Sequence, residues 1–424
     1  MSRVFVSTGD LYPRVPLYAG KTRPTKLRFK AQPRILLAVA ASLLFLDGSY
    51  VAVRHAWADQ LSTSSDLTDV NRAIELDPEN PRYWIRHADL LESAFQNSQA
   101  SLERAAILNP FDATVWIRLG LNAESSGDVD DAERYLLRAT RVSALFQPRW
   151  TLANFYFRRL SRPQFWMWAR EALTLSPREA DALFRLCWMM SEDAEEILQN
   201  AIPGDRRVLR IYLRFLINEN RLQAARPVAV RLSVFPEAPD TDDLLASCDR
   251  FLDAQDAPTA LAIWTGLCQA QLLKCSHLDP AGDIDLPVMS SGLSMHGFDW
   301  RAEQIPGFVV RTGDQELAAY FSGRQPETGD FLWRWLPVTS GAEYGFSFEY
   351  RTEGIGRQSG LKWLAGTAAS AELSSDDWKR ETIRFGVDRS SGLIRLHLNY
   401  TRQPGTTRVE GALHTRAMRL NRIR

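Results

Sequence analysis

The 424-residue chain reads as an α-helical repeat solenoid followed by an all-β sandwich, behind a single apolar helix. Three observations predict this. Small and large residues recur between positions 70 and 188 at steps of 32, 34 and 33 residues. From about Pro280 the apolar period drops from helical to two. Near the amino end, residues 35–53 (ILLAVAASLLFLDGSYVAV) form an apolar block behind a basic arm.

Residues 1–34 carry eight basic groups (Arg3, Arg14, Lys21, Arg23, Lys26, Arg28, Lys30, Arg34) against the single acid Asp10, with four prolines and no apolar period. They read as a disordered arm. The block 35–54 is then a transmembrane anchor: nineteen helical residues span about 28 Å, close to the thickness of a bilayer core. Basic flanks stay cytoplasmic, which puts the amino end inside and everything after Val53 outside. Asp47 costs free energy in this span, but it lies toward the outer end. A cleaved signal peptide, with Ala56 and Ala58 before Asp59, is the rival reading; the gap from Leu46 to Ala58 is long for a cleavage region. A buried soluble helix is the third.

The repeats occupy 60–240. Trp84, Trp116, Trp150 and Leu183 form one ladder, Ala73, Ala105, Ala139 and Ala172 a second, and Ala88, Gly120, Asn154 and Cys187 a third. Small residues let helices approach closely, and a large ring is expected to fill the hole left by the next hairpin. Pro78, Pro110 and Pro177 each follow a ladder alanine by five residues and stop the second helix of a unit. The first unit supplies only its second helix in this reading. Across roughly 65–235 these ladders, with NRAIELDP, ERAAILNP, LRATRVSA and REALTLSP, resemble the tetratricopeptide repeat family. The third unit departs by ending at Ala144, with Pro148 late. After Ala201 a helix pair remains, its second member bent or broken at Pro227. Helices near 241–253 and 257–272 close the stack within a cap and linker region, 241–279.

Residues 280–424 read as strands. FLWRWLPV sets Phe331, Trp333 and Trp335 against Leu332, Arg334 and Leu336, and EYGFSFEYR sets Tyr344, Phe346, Phe348 and Tyr350 against Gly345, Ser347, Glu349 and Arg351. TIRFGV and LIRLHLNY alternate likewise, with turns between them, which predicts a sandwich. LPVTSGAEYGFSFEYRT and GALHTRAMRL resemble the central hairpin and final strand of jelly-roll carbohydrate-binding modules. Those modules often carry an aspartate pair near a structural calcium on the last strand. Here His414, Thr415, Arg416 and Ala417 stand there, and no calcium is expected by that route.

Lys+Arg and Asp+Glu both number 51, so no global field draws nucleic acid. The six histidines and four cysteines show no metal spacing. Cys187 reads as a buried thiol; two of Cys248, Cys268 and Cys275 could pair in an oxidising compartment. GLSMHG is no nucleophile elbow, GIGRQSG reads as a loop, and Asp376-Asp377 as a solvated turn. No catalytic residue, cofactor or metal is expected, and the chain is read as non-enzymatic.

Two surfaces remain. In the resembling repeats, positions one and five after the ladder ring line a concave groove. Here they are Ile85, Ile117, Thr151, Phe184 and Asp89, Leu121, Phe155, Trp188, suited to a protein or peptide partner. The competing reading has Phe184 and Trp188 packing under the helices after 201. If the ring-bearing strand face is core, the opposite face carries Arg334, Glu349, Arg384, Arg395, His397 and Asn399, whose planar donors suit a polysaccharide. Whether Trp300, Trp363 or Trp378 is exposed stays open. The chain is thus expected to be a scaffold of a cell-envelope process, anchored in a bacterial inner membrane with its bulk periplasmic; its layout resembles accessory factors of exopolysaccharide export, which implies exopolysaccharide biosynthesis or export as that process. A glycan-binding protein with the repeats as spacer is the alternative, and a glycan-processing enzyme the third.

Overall fold

The computed structural model describes residues 31–175, 180–273, 275, 278, 281–286, 296–313 and 315–424. The basic arm up to residue 30, Pro177, His277 and most of GLSMHG lie outside them. Among the described residues, fourteen α-helices form a helical-repeat region and ten strands follow. The chain divides into two compact units between Pro110 and Phe111.

The first unit holds α1 (Ala31–Ser62), α2 (Leu67–Leu76), α3 (Pro81–Ser93) and α4 (Gln99–Leu108). Asp66 caps α2 by accepting from the Thr68 amide at 2.9 Å, and Asn80 caps α3, with Pro81 at a helix start where a missing N–H costs nothing. From Ile35, α1 is apolar and long enough to cross a membrane. It does not stop at residue 54. It runs on to Ser62, and Ala58, wholly buried, packs with Val70, Ala73, Ile74 and Tyr83. The end of α1 is therefore the first helix of the first hairpin, the helix that the sequence reading left out. Its polar and apolar residues interleave there, so the hydrophobic block alone hides the continuation.

The second unit begins with α5 (Ala113–Ser125), α6 (Val129–Val142), α7 (Phe146–Arg158), α8 (Arg162–Leu175), α9 (Ala180–Met190) and α10 (Ala194–Asn200). It continues with α11 (Arg206–Asn218), α12 (Leu222–Ser233), α13 (Thr241–Asp253) and α14 (Ala257–Gln269). Consecutive helices pair as α5 with α6, α7 with α8, α11 with α12 and α13 with α14. Pro227 sits inside α12, which runs through it unbroken. The small-residue ladders are interior: Ala73, Ala105, Ala139 and Ala172 are fully buried, as are Ala88 and Cys187. A Cβ on Gly120 would lie 2.6 Å from Leu136 Cγ, so this crossing needs glycine. The ring ladder behaves differently. Trp84, Trp116 and Trp150 are only half-buried, while Leu183 is fully buried. Leu119, Leu136 and Leu152 fill the interior instead. The indoles lie along the surface: Trp116 stacks on Tyr135 at 6.0 Å and Trp150 on Phe146 at 5.9 Å.

The β-domain has strands β1 (Arg301–Ala302), β2 (Phe308–Thr312), β3 (Glu316–Ser322), β4 (Thr328–Pro337) and β5 (Glu343–Glu353). It is completed by β6 (Leu361–Ala365), β7 (Ala368–Ala369), β8 (Lys379–Gly386), β9 (Leu393–Thr401) and β10 (Glu410–Arg422). They form two antiparallel five-stranded sheets, β1-β4-β9-β6-β7 and β2-β3-β10-β5-β8. Tyr344, Phe346, Phe348 and Tyr350 of β5 all point into the core, as their alternation requires. Trp300 and Trp363 are buried there too, edge to face at 6.0 Å.

One acid makes several of the bonds that join this domain to the last helices. Asp249 of α13 accepts from the Arg301 guanidinium, pairs with His296 Nδ1 at 2.6 Å and accepts the Gly297 amide at 2.7 Å. Gly297 has φ +63°, and a Cβ there would sit 2.2 Å from the buried Trp264 ring. Cys268 and Cys275 form a disulfide at the end of α14, which settles the pairing left open by the sequence. Cys187 and Cys248 are free and buried, and burial pushes both thiols well above their ordinary value.

Candidate functional site

The groove positions divide into surface and core. In the first unit Ile85 is half-buried and Asp89 exposed. In the second, Leu121 is exposed and Thr151 half-buried, its hydroxyl bonded to the Gln147 carbonyl at 3.0 Å. Ile117, Phe155 and Phe184 are buried, which corrects their assignment to a groove surface. Phe155 packs on Tyr156 at 5.2 Å under the Arg159 guanidinium. Phe184 packs on Tyr212 at 4.9 Å and Phe215 at 5.2 Å, both from α11. Trp188 stays half-buried with the Arg221 guanidinium 4.0 Å from its ring centre. Phe155 and Trp188 therefore do not form a pair of open anchors. Each inner helix meets its own partner and the next hairpin, so its buried arc is wider than a two-neighbour helix would have.

The surface that does open is one step away. Ala144, Leu145, Phe146, Gln147, Trp150, Leu175 and Ala182 line a cleft of about 800 Å³. It is built by the α6–α7 link, the face of α7, the end of α8 and the start of α9. Arg149 holds the link in place: its Nη1 donates to the Ser143 carbonyl at 2.9 Å and the Leu145 carbonyl at 3.2 Å, and its Nε donates to Glu171 at 3.1 Å. Leu145 is left 72% exposed and Leu175 45%, a cost in water that a bound apolar side chain would remove. The signal in the sequence was the departure of the third unit, whose segment LRATRVSA ends at Ala144 where the other units have a proline.

The six β-domain positions do not share a face. Arg334 is fully buried. The pairing of β4 with β9 shifts between Asp330 and Leu332, so that Phe331 and Leu332 both point inward and the alternation restarts out of phase. Leu332, Arg334 and Leu336 become interior, and Trp333 and Trp335 move outward, half-buried. Arg334 donates to the Asp285 carbonyl at 3.3 Å and lies over Trp300, and burial pulls its guanidinium down to about 10. Arg395, His397 and Asn399 lie on the outer face of this sheet around Asp330, at 3.3, 3.6 and 2.8 Å. Trp333 is held between Arg395 and Arg301, 4.2 and 4.5 Å from its ring centre. Burial, helped by Arg395, lowers the His397 pKa against the pull of Asp330.

Glu349 and Arg384 belong to the other sheet. There Glu349 accepts from Arg416 Nε at 3.0 Å and Arg380 at 2.7 Å, and these bonds hold its carboxyl below the usual range. Arg416 and Arg351 flank Trp378, at 3.8 and 5.4 Å from the ring centre. His414 lies buried between Glu316 at 3.2 Å and Glu353 at 3.5 Å. Trp378, half-buried, is thus the most accessible ring of the three left open, and Arg416 and His414 of β10 are neighbours that the alternation of β5 alone could not supply. Both faces offer guanidinium groups and an indole, and the first adds the Asn399 amide, groups that suit hydroxyl and carboxylate recognition.

No family model and no curated protein matches the chain. Among solved structures it is similar to YrrB, a TPR protein with an unusual peptide-binding site, at 16% identity over 50% of this chain and 95% of that one, TM-score 0.25. It is similar to PilF of Pseudomonas aeruginosa at 14% identity, covering 52% and 90%, TM-score 0.25. Over 29% of its length it is similar to CBM4, at 12% identity and 86% of that chain, TM-score 0.23.

Proposed function

We propose that this protein is a non-enzymatic scaffold that holds an envelope assembly at the outer face of a bacterial inner membrane. The apolar stretch of α1 from Ile35, behind eight basic residues, supports a cytoplasmic amino end and an exported bulk. The Cys268–Cys275 disulfide agrees with an oxidising compartment. Ala58 argues against signal cleavage before Asp59: the cut would take a buried residue and half of the first hairpin's helix.

The observation that carries the scaffold reading is the cleft at Leu145, Phe146, Trp150 and Leu175, an apolar depression in a helical repeat with exposed leucines at its rim. A partner peptide or amphipathic helix would insert large apolar anchors there. A photocrosslinking residue at Leu145 in the membrane-embedded chain should trap one discrete protein. Leu175→Asp should remove that product, by tenfold or more if one anchor contributes about 2 kcal/mol, with the melting temperature unchanged. A product that persists in the variant places docking elsewhere.

A second reading is favoured by the Trp378, Arg416 and Glu349 cluster: the β-domain binds an acidic polysaccharide and the repeats space it from the membrane. Polysaccharide assembly or export is the envelope process in which both readings meet. Trp378→Ala in the full chain should abolish retention on immobilised uronate polymer, and unchanged retention excludes this face.

A further inference from the structure

The first unit combines a membrane-crossing helix with a packed hairpin and no linker between them. The apolar stretch ends at Val53, and α1 continues unbroken to Ser62. His55, two residues on, lies about 3 Å further along the helix axis. Its Nδ1 is 3.1 Å from Asp77, at the start of the turn between α2 and α3. The next contacts climb in order. Ala58 is fully buried against the hairpin, Asp59 accepts from the Tyr83 hydroxyl at 2.5 Å, and the Ser64 carbonyl accepts from Arg86 at 2.9 Å. Tyr83 is locked enough that burial and Asp59 push its phenol up to about 12. α3 therefore runs alongside α1 in the same direction, with its amino end nearest the apolar span. The headgroup zone on each side of a bilayer is about 5–8 Å deep, so a turn fastened about 3 Å past the span lies inside it. Tyr50 and Trp57, 66% and 62% exposed, bracket the same level, where amphipathic rings settle at a membrane surface.

We infer that α1 is a rigid strut that seats the α2–α3 turn, Asp77 to Asn80, in the lipid headgroup layer, with the first hairpin standing off the membrane along α3. This rests on reading Ile35–Val53 as a membrane span. The occupant of the exposed α1 surface is the bilayer, and the occupant of the turn is its headgroups, with half-buried Arg54 and His55 beside it to meet phosphate. The first hairpin would then have a fixed height and tilt at the membrane, unlike one on a flexible tether.

Nitroxide labels on Glu79→Cys, Phe95→Cys and Leu44→Cys, each in the full chain, test this; the native free thiols Cys187 and Cys248 are buried. The chain is placed in phosphatidylethanolamine–phosphatidylglycerol vesicles doped with a nickel-chelating lipid. Glu79 and Phe95 flank α3, about 20 Å long. Headgroup nickel should relax the label at 79 several-fold more than that at 95, while the label at 44 responds to oxygen and not to soluble nickel. Equal relaxation at 79 and 95, with 44 still in lipid, overturns the strut and leaves the span standing. A label at 44 open to soluble nickel overturns both. Inserting four glycines after Val53 should reduce relaxation at 79 to the level at 95; no change would mean that the turn seeks headgroups by itself and that the continuous helix does not position it.

Discussion

The helical region and the β-domain hide their surfaces from sequence in different ways. In the helices the ladders locate the crossings, and Ala105, Ala139 and Ala172 are all interior. The groove assignment drifts by degrees: Thr151 and Leu121 reach the surface, whereas Phe155 and Phe184, on neighbouring steps of the same pattern, do not. A helical face is an arc, and residues at its margins go either way with small changes in packing angle. In β4 the error is all or none. One bulge after Asp330 reverses Trp333, Arg334 and Trp335 together, because a strand has two faces only. Periodicity therefore degrades gradually in one region and fails at a single residue in the other.

The largest expected effect tests the helical side. Phe184→Ala should destabilise the protein by about 3–5 kcal/mol, the usual cost of emptying a buried phenylalanine site, read by denaturant unfolding of the full chain in detergent. A variant as stable as wild type would detach Phe184 from Tyr212 and Phe215 and return it to the groove. Next comes the β-domain. Arg334→Ala should cost about 1.5–3 kcal/mol, the usual worth of a hydrogen bond from a charged donor, by removing its bond to the Asp285 carbonyl and its packing over Trp300, and more than Trp333→Ala, whose ring is half-exposed. The opposite ranking would put the bulge elsewhere and restore the original face.

The smallest effect concerns His397. Its folded pKa lies below the ordinary value of 6.5, mainly through burial. Below that value the unfolded chain takes up protons that the folded state refuses, so stability falls as pH drops from 6.5 toward the folded pKa. His397→Asn should flatten this slope in a pH series of unfolding midpoints. His87, also lowered by burial, leaves a remaining slope of the same sign. A slope unchanged by the substitution would mean that His397 is as solvated as an outer-face residue on a free sheet.

Sequence by itself determined the class of each region, the ladder alanines as helix crossings, the glycine at 120 and the inward aromatic row of β5. These follow from local period and residue size, which act over one turn or one strand. Only the tertiary structure decided that α1 completes the first hairpin, that the cleft lies at Leu145 and Trp150 beside the groove positions, and that Cys268 pairs with Cys275. It also decided that the polar β residues divide between two sheets, with Arg334 in the core. The reason is common to all of these. Each depends on which element packs against which, and a period carries no information about the neighbour across the contact.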